Sequence, residues 1–67
     1  MRIVSTAKDE ATVTISSNDL AFLQNTINET MEALGDTEIK IRTGATMEMA
    51  QAMIDEIKAI RSAIHKR

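Results

Sequence analysis

Cysteine, proline, tryptophan and tyrosine are all missing from this 67-residue chain, and Phe22 is its sole aromatic residue. Without cysteine there is neither a disulfide staple nor a thiolate metal site. The scarcity of aromatics removes the stacking platform used in single-strand nucleic-acid and RRM-type binding. No apolar run approaches the roughly 20 residues that span a bilayer. Met1 is followed by neither a charged segment with a long apolar core nor a cleavage site, so the expectation is no membrane partner and a cytoplasmic location. Charge is nearly balanced as well: eight basic against ten acidic side chains leave a net −2. That argues against binding by phosphate neutralisation and makes nucleic acid a disfavoured partner.

Sixty-seven residues make one domain, spanning residues 1–67. A domain of this size buries only about 60% of the surface its unfolded chain exposes. With staples excluded, oligomerisation is the remaining source of stability, and a homodimer is expected.

What the chain does have is a strong helical pattern in residues 46–67, TMEMAQAMIDEIKAIRSAIHKR. Apolar residues recur at Ala50, Met53, Ile57, Ile60 and Ile64, with Ile54 widening the stripe, against a face of Glu48, Gln51, Asp55, Lys58, Arg61, Ser62 and His65. Thr46 is placed to cap the N-terminus, Gly44 allows the turn into it, and Glu48 and the basic end suit the helix dipole. Such a helix runs roughly 30 Å, whereas a strand of five or six residues covers about 17–20 Å. Its last third therefore outruns the chain's own sheet, and Met53, Ile57, Ile60 and Ile64 are the expected protein interface. The methionines Met31, Met47, Met49 and Met53 read as soft core fillers, with an adaptable binding surface as the alternative.

Upstream, residues 2–7 and 11–16 are rich in β-branched residues and separated by Lys8, Asp9 and Glu10, which predicts a hairpin. The second strand alternates cleanly; the first could instead be a loose arm. Ser16 with Asp19 has capping-box spacing and opens a helix to about Leu34, burying Leu20, Leu23, Ile27, Met31 and Leu34. Gly35 follows as its terminator. Residues 38–43, EIKIRT, alternate Ile39 and Ile41 against Lys40 and Arg42, which predicts a third strand. The expected architecture is α+β: a two-layer β-β-α-β-α domain whose small three-stranded sheet is covered on one face by two helices.

Candidate chemistry is thin. His65 is the sole histidine and has no second ligand in the pattern, so it reads as a solvated side chain at a helix end. Asp55 and Glu56 are adjacent and point about 100° apart on a helix, which is no acid–base pair. The lone Gly44 before a helix lacks the spacing and lysine of a phosphate loop. Arg61, Lys66 and Arg67 make a short basic end that is better read as a solvated terminus than as a phosphate patch. No nucleophile with its base and no cofactor fingerprint can be assembled, so the chain is expected not to be an enzyme and to carry neither cofactor nor metal.

The runs FLQNTINETMEAL and EIKIRTGATMEMAQAMI resemble a group of small bacterial α+β proteins with an L-x-N-x-[LI]-N-E helix followed by E-[FI]-x-x-R-x-G. The matching residues include Asn25, Asn28, Glu29, Glu38, Arg42, Gly44 and Glu48. The resemblance covers about half of the chain and implies a fold more than a task. On it rests a structural expectation: Glu29 or Glu48 pairs with Arg42 to fix the turn at Gly44, with Asn25 or Asn28 bonding nearby backbone. In size and acidity the chain also resembles immunity proteins of bacterial toxin systems and phage anti-defence proteins. The function read from all this is a non-enzymatic protein-binding module that inhibits or regulates a protein partner. The alternative is a small DNA-binding transcriptional regulator using Lys40, Arg42 and the basic end.

Overall fold

A computed structural model describes residues 1–65, the side chain of His65 excepted; the readings made of that side chain and of Lys66 and Arg67 lie outside the described residues. The element order is β1 (Arg2–Thr6), β2 (Ala11–Thr14), α1 (Ser17–Ala33), α2 (Asp36–Thr43) and α3 (Met47–His65). The class is α+β as expected, but the sheet has two strands, not three.

β1 and β2 pair antiparallel, with Ile3 opposite Val13 and Ser5 opposite Thr12, so Val4 is left over as a bulge. The Ala7 N–H donates to the Glu10 carbonyl at 2.8 Å and closes the loop around Lys8 and Asp9. Every residue of both strands is exposed. The hairpin makes no packing contact with a helix comparable to those among the helices. At its base, the Met1 ammonium lies 3.5 Å from the Asp19 carboxylate.

The third strand is corrected to a helix. Asp36 and Glu38 occupy the first turn of α2 and Lys40 and Arg42 its last, each sign at the dipole end that favours it. Glu38 and Arg42, four apart, meet at 2.9 Å. Gly44 then ends the helix in the left-handed region at φ 76°, its N–H donating to the Lys40 carbonyl. The alternation that suggested a strand is broken by burial: Ile39 is 2% exposed and Ile41 71%. Residues two apart on a helix lie about 200° apart, so one isoleucine goes in and the other out.

The other helices start where the sequence marks them. The Ser16 side chain accepts from the Asp19 N–H at 3.1 Å, and the Thr46 hydroxyl accepts from the Met49 N–H at 3.1 Å. Gly35 is not a left-handed terminator; with φ −79° it is the N-cap of α2, and α1 closes by the Leu34 N–H bonding to the Thr30 carbonyl.

With no third strand, the helices bury their stripes on one another, α1 against α3 above all. Among the described residues the core is Leu20 of α1, Ile39 of α2, and Ala50, Ile54 and Ile57 of α3. The shape is thin, 37 × 31 × 16 Å. The radius of gyration of 13.5 Å exceeds the about 11 Å usual for a compact domain of this length.

Two substitutions check this arrangement. Ile54→Ala empties the most enclosed side chain, and a loss of about 2–4 kcal/mol is expected in urea unfolding. Gly44→Ala meets open space but an unfavourable φ, and should cost about 1 kcal/mol, where the same change at Gly35, with ordinary φ, should cost less.

Candidate functional site

α3 carries more apolar surface than its own chain covers, and the position of the covered stripe decides what is left. The inward sector is Ala50, Ile54 and Ile57, continued by the partly buried Arg61, whose guanidinium donates to the Gln24 side chain of α1 at 2.8 Å. Arg61 thus belongs to the α1–α3 seam, not to the solvated face the pattern assigned it to. Its Nε is enclosed there without a hydrogen-bond partner among the described residues.

Of the four residues expected at an interface, Ile57 lies inside the protomer. Met53, Ile60 and Ile64 remain open at 50%, 46% and 39% exposure, joined by Met49 on the same side of the helix. Ile54, read as widening the stripe, is instead its centre.

At the N-terminal half of this open flank lies a groove of about 280 Å³ between the three helices. Ile27 of α1, Ile39 of α2 and Ala50 of α3 form its floor, with Thr26, Thr30, Thr43, Met49 and Met53 around them. Its threonines are less polar than their names suggest. The Thr30 hydroxyl donates to the Thr26 carbonyl at 2.8 Å, and the Thr43 hydroxyl to the Ile39 carbonyl at 2.6 Å while accepting from the Ala45 N–H. With these two hydroxyls held by the backbone, the wall they form offers carbon more than hydrogen-bonding groups.

A wider, shallower groove, adjoining the first along Thr26 and Thr30 of α1, brings together Asn25, Glu29, Phe22 and Arg42. The expected pairing of Arg42 with Glu29 or Glu48 is replaced by its bond to Glu38, because four residues along one helix is the shorter reach. Glu48 lies elsewhere, in a cleft with Asp36, Lys40, Thr46 and Met47. Neither Asn25 nor Asn28 makes a side-chain hydrogen bond among the described residues. Gly44 does fix the α2-to-α3 turn, by its backbone alone.

Among the described residues no three His, Cys, Asp or Glu side chains are grouped to hold a metal ion, and no helix is long and apolar enough to cross a membrane. No family model, no protein of established function and no solved structure matches the chain.

Sequence reasoning missed the groove because Ile39 was assigned to a strand, and missed Arg61 because a charged residue near the end of an amphipathic helix is usually solvated. The spacing of 50, 54, 57 and 61 is itself a helical stripe and was the available signal. The two arginines are expected to differ. Arg42→Ala removes an exposed i,i+4 pair and should change stability by about 0.5 kcal/mol or less. Arg61→Ala removes packing and an interhelix bond together and should cost about 1–2 kcal/mol. Thermal unfolding of both variants by circular dichroism gives the comparison.

Proposed function

We propose that this chain is a non-enzymatic protein-binding module that regulates or inhibits the protein it engages, in the manner of immunity or anti-defence proteins. The observation that carries the reading is the carbon-lined groove beside Met49 and Met53, continued along α3 by Ile60 and Ile64. At about 280 Å³ it falls just under the roughly 300–1,000 Å³ of small-molecule sites, and it lacks the convergent polar groups that orient a small ligand. An extended apolar flank with a shallow depression is instead suited to side chains presented by a macromolecule. Methionines on its rim allow it to fit an irregular surface.

The DNA-binding alternative has less support, since Arg42 is already paired with Glu38, and Lys40 lines a cleft that also holds Asp36 and Glu48. An enzymatic reading would need a general base or nucleophile on the groove wall, and the wall offers none among the described residues.

The test is site-specific photo-crosslinking in cells that produce the full chain. A benzophenone side chain at position 53 is expected to capture protein, including a protein other than this chain, whereas the same group at Lys58, on the opposite side of α3, captures little. If position 53 yields no protein adduct at all, the binding-module reading falls. If every adduct is with the chain itself, the regulatory half of the reading falls and binding stands.

A further inference from the structure

The open flank of α3 has a symmetry that identifies one of its occupants. We infer that it is covered by a second copy of this chain, through antiparallel packing of α3 on α3. The inference rests on the binding-module reading and names the partner of that surface.

The protomer leaves more surface exposed than a compact chain of its mass. The protomer exposes 5392 Å², about 1,200 Å² more than the ~4,200 Å² typical of a compact folded monomer of this mass. A standard interface removes about 800 Å² per partner and obligate homodimers remove more, so the excess leaves room for one dimer interface. The hairpin, exposed along both strands, shares in that excess with the open flank of α3. A chain whose described core is one leucine, three isoleucines and an alanine gains from that cover, and the second copy gives the flank up when a different protein engages it. A second copy is the partner always made with it.

The order of apolar residues along α3 is self-complementary. Met49, Met53, Ile60 and Ile64 lie in one sector of α3, beside the stripe its own chain covers, and they are arranged symmetrically about a midpoint between Glu56 and Ile57. An antiparallel copy with its two-fold axis at that midpoint sets Met49 opposite the partner's Ile64 and Met53 opposite the partner's Ile60. This is the self-complementarity that an isologous two-fold contact requires. It also sends each copy's branched C-terminal residues toward the other copy's groove, which lies at Met49 and Met53. On the outer side of this sector Ala52, Ala59 and Ala63 are exposed, and small residues there let two helices approach closely.

One residue opposes the contact. Glu56 is the charged member of this arc and stands next to the midpoint, so its two copies come close across the axis and repel.

The absence of cysteine makes the register directly testable with the full chain. Light scattering should give twice the 7.4 kDa mass of one chain, with a melting temperature that rises with protein concentration. An equimolar mixture of the single variants Met53→Cys and Ile60→Cys should form the mixed disulfide under oxidation. Each variant alone should do so poorly, because residue 53 and the partner's residue 53 are offset by about 10 Å along the helices. Ile60→Glu should weaken association by about a hundredfold or more. Glu56→Ala should tighten it by about tenfold, a gain that a variant failing to fold cannot mimic. Ile41→Glu, exposed and off the flank, should change neither.

A folded monomer whose melting temperature ignores concentration overturns the inference, as does a dimer in which residue 53 pairs best with the partner's residue 53. If the chain is monomeric and position 53 captures a different protein, the inference fails while the binding-module reading stands. If it is monomeric and captures nothing, both fail.

Discussion

Three helices totalling 44 residues have to share one small patch of contact, and the geometry of that patch governs the molecule. α1 and α3 meet along Leu20, Ile54 and Ile57, and α2 adds Ile39 at one end. Each helix can bury only the sector that faces its neighbours, so a helix apolar over more than that sector must leave the rest in water. α3 is such a helix. Its inward stripe is complete without Met49, Met53, Ile60 or Ile64, which makes their exposure a consequence of how the first stripe packs and not of loose packing.

The same constraint explains the hairpin. A two-stranded ribbon is marginal in isolation and normally needs a third strand or a helix against one face. The segment expected to supply the third strand forms α2 instead, which packs on α3 through Ile39. The hairpin is left attached through the short link to Ser16 and the Met1–Asp19 contact, with Ile3 and Val4 exposed. Choosing helix over strand at eight residues therefore left the sheet at two strands and brought Ile39 into the groove between the helices.

How much of this could be read beforehand follows from the length of each signal. α1 and α3 are long enough for several turns of periodicity, and their caps at Ser16 and Thr46 are local side-chain chemistry, so both were legible. The hairpin was legible from its β-branched strands and polar apex. Residues 36–43 gave one alternation of two isoleucines, which a strand and a short helix can both produce. The deciding features were the charge order along the segment, the Glu38-to-Arg42 spacing and Gly44 at its end. The flank was legible as surplus but assigned one sector off: the stripe that included Ile57 straddles the covered and the open faces. Arg61 marks where the two divide, because its long side chain serves as a seam residue that a hydrophobic pattern does not register.

The position of charge on α3 supports the same division. Glu48, Gln51, Asp55, Lys58 and Ser62 fall together on one side, and the Gln51 amide donates to the Asp55 carboxylate there at 3.0 Å. Such clustering is expected of a face that stays wet. Had the flank of Met49, Met53, Ile60 and Ile64 also evolved to stay wet, charges would be expected among them at the same density; Glu56 alone is found. A sector apolar but for Glu56 over about four turns of helix, beside a groove in which the Thr30 and Thr43 hydroxyls bond to backbone carbonyls one turn earlier, is a surface shaped for carbon.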